Sequence, residues 1–283
     1  MSGELRLANS GVAPLVTSLA ALAEAVPIGE FAVIGGLAVL ARLQGAHRVT
    51  YDLDTVATQH GDELTAVETV IGTEGVDGLL LGTKIDCIAV GDVPASDISP
   101  DLLPEGEADR IFVLAHRWAL DTAEDLTLIA EEDGEVVAEV RCRIATPASL
   151  VAMKLQSAPK RRAARAEKAG SDYLDLFRLT SHPDMTRSIA EALRQAPHDL
   201  GSWCQREIKR CMIDEADRTV GTIVRSGVGE ANTPSVDQMR RTGQFLEGLL
   251  RGQKWCGHQP VFQTPTGSGH TARLPTSAMV AFG

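Results

Sequence analysis

The feature that most restricts the fold of this 283-residue chain is a change of apolar period at Thr146-Pro147. Before it, short runs that alternate with period two are interleaved with runs at helical spacing. Residues 31–34 are apolar and rich in strand formers, residues 50–56 alternate, and residues 79–89 read as a further strand. Residues 126–130 and 136–143 flank Asp133-Gly134, a pair favoured in two-residue hairpin turns. Leu15, Val16, Leu19, Leu22 and Ala23 recur at helical spacing up to Pro27; residues 37–43, ended by Gly45, and residues 108–120 read as further helices. Beyond Pro147 the helical period dominates, over 147–158, 167–180, 184–195, 200–218 and 234–251. The pattern predicts an α+β chain. Residues 1–146 would hold a mixed, largely antiparallel sheet, and residues 147–256 an all-helical domain. Residues 257–283, rich in Gly, Thr, Ser and Pro, have no period and read as a flexible tail.

Composition narrows the function classes. Hydrophobic residues make up 44% of the chain, enough to bury a sizeable core. Aromatic residues are only 4%, which argues against a platform of stacking rings for single-stranded RNA. The net charge of −11 argues against wholesale coating of a nucleic acid and leaves room only for a local basic patch. Such a patch is present: between 154 and 168, Lys154, Lys160, Arg161, Arg162, Arg165 and Lys168 face one acid, Glu167. Five cysteines, an odd number with no Cys-x-x-Cys pair, read as free thiols of a reducing compartment. Cys204 and Cys211 read as core thiols, Cys256-Gly-His258 as incidental, and Trp118, Trp203 and Trp255 as packing anchors. The apolar stretch near the N-terminus is broken by Thr17, Ser18 and Glu24, so it suits neither a signal peptide nor a membrane span. The expectation is a cytoplasmic protein with no membrane partner.

Residues 31–54 carry the chemistry. A strand runs into Gly35-Gly36, a helix follows, and a second strand holds Asp52-Leu53-Asp54. A helix that starts at a glycine pair offers free backbone N–H groups and a positive dipole end, and glycine lets a phosphate approach. Asp52 and Asp54, two residues apart on a strand, project to one face, where they can bind a hard divalent cation. A third carboxylate is needed to activate an attacking hydroxyl. Asp86, in the apolar run Ile85-Asp86-Cys87-Ile88, is the candidate, provided that its strand pairs beside 50–56; a salt-bridged strand acid is the equal alternative. Lys84, Asp86 and Ile88 share a face of that strand.

The stretch Ile34-Gly35-Gly36 … Arg48-Val49-Thr50-Tyr51-Asp52-Leu53-Asp54 resembles the first motif of the AbiEii/MenT-like nucleotidyltransferases, toxins of bacterial toxin–antitoxin and phage-defence systems within the DNA polymerase β-type superfamily. A second likeness follows in Pro147-Ala-Ser-Leu-Val-Ala-Met-Lys154-Leu155 and Asp172-Tyr-Leu-Asp175, a helix lysine succeeded by Asp-x-x-Asp. The resemblance touches residues 31–57 and 147–178. It implies that Asp52 and Asp54 bind Mg2+, that Gly35, Gly36, Arg48 and Thr50 contact the triphosphate of an NTP, and that Lys154 neutralises triphosphate charge. Asp172 or Asp175 would orient that lysine or bind the nucleotide. It also implies transfer of a nucleoside monophosphate to an RNA acceptor, the 3′ end of tRNA, which blocks translation, and a cognate antitoxin as partner. Two alternatives stand beside it: the same chemistry on a protein or an antibiotic, and a catalytically silent nucleotide-binding module.

Overall fold

The computed structural model describes residues 3–8, 11–44, 50–228 and 233–253. Gly45, Arg48, Trp255, Cys256, His258 and the 257–283 tail lie outside these residues.

The N-terminal part is built on a single sheet. Strands β1 (Gly3–Ala8), β2 (Phe31–Val33), β3 (Asp52–Gln59), β4 (Leu79–Leu80), β5 (Thr83–Gly91), β6 (Glu124–Glu132) and β7 (Glu135–Ile144) lie in the order β1-β6-β7-β2-β3-β5-β4. The sheet is mixed but not largely antiparallel. β1–β6, β2–β7 and β3–β5 are parallel, and β6–β7, β2–β3 and β4–β5 are antiparallel. The β3–β5 pair can be parallel because a helix and a short strand return the chain across the sheet before β5 is laid down. Helix α1 (Ala13–Ala25) separates β1 from β2, and α2 (Gly35–Leu43) separates β2 from β3. Helix α3 (Ala66–Glu74) precedes the β4–β5 hairpin, and α4 (Glu107–Asp121) precedes β6. The β6–β7 turn has positive φ at both Asp133 (52°) and Gly134 (85°), the requirement of the tight turn predicted there.

Three elements escaped the periodicity. The single strand expected over 79–89 is a hairpin of β4 and β5, turned at Leu81 and Gly82, both with positive φ. β1 is too short to show a pattern beyond Leu5 and Leu7, the two buried positions of an edge strand. α3 is short, but Thr65 and Glu68 form a capping box in which each side chain bonds the other residue's backbone N–H.

The C-terminal part is helical: α5 (Pro147–Ala164), α6 (Ala166–Ser181), α7 (Thr186–Arg194), α8 (Leu200–Ile208), α9 (Ala216–Ser226) and α10 (Val236–Leu250). Two differences from the expected segments matter. α5 does not stop before Pro159 but runs through it to Ala164, because Leu150, Val151, Leu155 and Ala158 are all buried and hold the helix on course. The predicted helix over 200–218 is interrupted by a π-helical stretch, Lys209–Asp214. There the carbonyl of Cys211 accepts the Thr219 hydroxyl at 2.7 Å, and Gly243 of α10 leaves just enough room for Met212 and Ile213.

The two parts share one contiguous core, which includes Leu37, Leu53, Ile85, Leu150 and Leu174. Arg42, near the end of α2, locks the junction by donating to the carbonyls of Ile144 (2.8 Å) and Ala145 (2.9 Å) while pairing with Glu124. The start of α2 is thereby fixed relative to both sheet and helices. Cys142, Cys204 and Cys211 are free and buried, and Trp118 and Trp203 are buried packing residues. No helix among the described residues is long and apolar enough to cross a membrane.

Candidate active site

β3 alternates as a half-buried strand must. Leu53 and Thr55 are fully buried on one face, and Asp52 and Asp54 stand on the other. Its parallel pairing with β5 sets Asp54 opposite Asp86 and Asp52 opposite Lys84. Asp52, Asp54 and Asp86 each offer a carboxylate oxygen within 4.8 Å of the others. The strand pairing on which the role of Asp86 depended is therefore present. Burial and the neighbouring Asp52 charge raise the Asp54 carboxyl above the ordinary carboxylate range, against the opposing pull of Lys154. Two lysines share the site: Lys84 donates to both oxygens of Asp86, and Lys168 of α6 lies 3.5 Å from Asp52.

Gly35 opens α2 directly against Asp54. Its φ is +65°, and a Cβ there would lie 1.9 Å from Asp54 Oδ2. The glycine is thus required twice, for its backbone conformation and for the carboxylate beside it. Gly35→Ala is expected to cost roughly 1–2 kcal/mol in backbone strain and about 1–3 kcal/mol in overpacking. It should also displace Asp54, so calorimetry should register weaker divalent-cation binding together with the lowered melting temperature. An alanine variant with wild-type stability and cation affinity would contradict this contact.

A cleft of about 420 Å³ opens above these groups, walled by α2, β3 and β5 on one side and by α5 and α6 on the other. Gly35, Gly36, Thr50, Asp52, Asp54, Lys154 and Asp172 all line it. Asp86 belongs to the carboxylate group without lining the cleft. Thr50 is buried and donates to Asp52 at 3.4 Å, so it also orients that carboxylate. Lys154 bonds both acids that follow it, Asp172 at 2.7 Å and Asp175 at 2.8 Å. Asp175 is fully buried and acts on the lysine rather than on anything in the cleft. Asp172 is shared: its second oxygen accepts Ser157 at 2.9 Å and Arg161 at 2.8 Å. Lys154, Ser157 and Arg161 fall three and four residues apart on one face of α5, an alignment that exists only because the helix continues through Pro159.

Some cleft residues were not anticipated. Tyr51 precedes β3 instead of alternating within it and is 82% exposed at the cleft. His116 of α4 is 5% exposed and also lines the cleft. Its pKa is lowered to about 4, mainly by burial and further by Arg161 and Lys160. A histidine that stays neutral in the folded chain but takes up a proton once unfolded makes stability fall as pH drops from its unfolded value, about 6.5, towards its folded value. Chemical denaturation should therefore show about 2 kcal/mol less stability near pH 5 than near pH 7 from this group, and His116→Phe should lack that part of the slope. An unaltered slope in the variant would contradict the neutral buried state.

Comparison with family models, with curated proteins and with solved structures finds no match to this chain.

Proposed function

We propose that the chain is a magnesium-dependent nucleotidyltransferase that moves a nucleoside monophosphate from an NTP to an RNA acceptor. The observation that carries the reading is the opposition, across one cleft, of the Asp52 and Asp54 carboxylates, grouped with Asp86, to Lys154, which is clamped between Asp172 and Asp175. Three carboxylates are a hard-oxygen donor set that suits Mg2+, so Asp52, Asp54 and Asp86 would hold it. When bound, magnesium supplies positive charge against the triphosphate and against the charge that develops in transfer.

The chain's own groups do the rest. Backbone N–H groups at the start of α2 donate to phosphate oxygens, and the absence of side chains at Gly35 and Gly36 lets the phosphates approach. Lys154, held at a fixed position by two acids, stabilises triphosphate charge without reorganising. The acceptor hydroxyl oxygen attacks the α-phosphorus, the bond from that phosphorus to the β-bridging oxygen breaks, and pyrophosphate leaves. The hydroxyl proton passes to Asp86, which requires Lys84 to swing off its oxygens. Calorimetry with ATP, CTP, GTP and UTP in magnesium tests the binding half of the reading. Saturable binding that EDTA abolishes is expected, and no binding of any of the four would contradict it.

RNA is the acceptor favoured by the basic run in α5 and the start of α6, but that run is less free than its sequence suggests. Arg161 is bonded to Asp172, Arg162 lies 3.7 Å from Glu215, and Lys168 faces Asp52. Arg165, at the break between α5 and α6, is exposed, and Lys160 is only loosely paired, 4.0 Å from Asp109. The double charge reversal Lys160→Glu/Arg165→Glu should weaken RNA labelling and lower the slope of log affinity against log salt by about 2, with NTP affinity unchanged. A salt slope equal to that of the wild type would remove the run from acceptor binding. Following the sequence resemblance, the acceptor is the 3′ end of tRNA, the outcome is a block of translation, and the partner is a cognate antitoxin.

A further inference from the structure

The lining of the cleft is not all charged. Ile88, Leu150 and Met153 add apolar surface, and His116 is the one nearly buried imidazole among them. Its ring lies 4.2 Å from that of Phe112, and its Nδ1 is 2.7 Å from the Phe112 carbonyl oxygen. A carbonyl only accepts, so Nδ1 carries the proton and donates it. Burial and the positive charge of Arg161 and Lys160 keep a second proton off the ring. Nε2 is therefore a lone pair, and among the described residues no group is hydrogen-bonded to it. A core histidine ordinarily satisfies both nitrogens, whereas this one keeps an acceptor in reserve in the wall of a cleft.

We propose that His116 is a specificity-determining residue whose Nε2 accepts a hydrogen bond from a donor on the nucleoside half of the NTP. The inference rests on the NTP-binding reading above. Only a donor satisfies this nitrogen, and the donors that a nucleoside offers are a sugar hydroxyl, an exocyclic amine and, in guanine and uracil, a ring N–H. The phosphates carry acceptors only and are left to Lys154 and the start of α2.

The test measures binding to the full chain in magnesium, with non-hydrolysable ATP and CTP, their 2′- and 3′-deoxy analogues, and the amine-free partners purine riboside triphosphate and pyrimidin-2-one riboside triphosphate in the same non-hydrolysable form. Inorganic triphosphate is the nucleoside-free control. His116→Phe should bind the preferred nucleotide about 5–15-fold more weakly, with triphosphate affinity unchanged, and His116→Gln, which can present an acceptor oxygen, should recover part of the loss. The deficit should vanish for the analogue that lacks the donor: a deoxy sugar if the hydroxyl is the partner, the amine-free base if the amine is. The wild-type protein should discriminate against that same analogue by a similar factor, which keeps the test alive should the phenylalanine variant fail to fold. A wild type that binds every analogue equally, or a deficit in His116→Phe that is the same for all analogues or extends to triphosphate, would overturn the proposal while leaving NTP binding intact. A wild type that binds neither nucleotide nor triphosphate would overturn the NTP reading along with it.

Discussion

Asp54→Asn is expected to abolish nucleotide transfer without destabilising the fold. Asp54 is the carboxylate on which the site converges: it pairs in register with Asp86, lies beside Asp52 and packs against Gly35. Under the proposed function, the variant loses a magnesium ligand and with it several kcal/mol of charge stabilisation, on the order of a 10³-fold or larger fall in turnover. Stability should move the other way. The raised carboxyl pKa means that the folded chain disfavours the ionised form, so at neutral pH the charge opposes folding, and asparagine relieves that opposition. The melting temperature should be unchanged or higher. A folded Asp54→Asn variant with wild-type turnover would remove this carboxylate from the chemistry, and a large loss of stability would contradict the electrostatic account of the site.

Lys154→Met should lose both activity and stability, for a different reason. The lysine is nearly buried between Asp172 and Asp175, and Asp175 has no exposure at all. Removing one partner of a buried ion pair costs about 3–5 kcal/mol, because the remaining charge is left poorly compensated. Asp172 keeps Ser157 and Arg161, and Asp175 loses its ion pair with the lysine. The double variant Lys154→Met/Asp175→Leu replaces the pair by apolar groups and should regain much of the stability while remaining inactive. Urea denaturation and pyrophosphate release, measured on the same preparations, separate the two roles. Recovery of activity in the double variant would show that the lysine acts only as a structural counter-ion.

The site was more legible in the sequence than the fold around it. Alternation alone placed Asp52 and Asp54 on one strand face, and an acid inside the apolar run around Asp86 marked a second strand that needed a charged neighbourhood. The glycine pair pointed to a close approach, although nothing in the sequence identified Asp54 as the group that approaches. Strand direction was not legible. Which strand becomes the neighbour of β2 or β3 depends on how helices cross the sheet, and the apolar period of each strand carries no trace of it. Pro159 misled because the local rule stops a helix before proline, whereas the buried residues Leu150, Val151, Leu155 and Ala158 ahead of it hold α5 on course. That error hid the alignment of Arg161 with Lys154 and Ser157. His116 offered the weakest signal: in sequence it is a single polar residue within an apolar helix face, and only the cleft beside it gives its second nitrogen a use.

Incubating the protein with total cellular RNA, magnesium and each α-labelled NTP in turn asks whether this cleft transfers nucleotides to RNA. Label is expected in RNA, concentrated at the 3′ ends of tRNA, released pyrophosphate should match it, and Asp52→Ala or added EDTA should eliminate both. No label with any of the four nucleotides would contradict the account, and label found only in protein would move the same chemistry to a different acceptor.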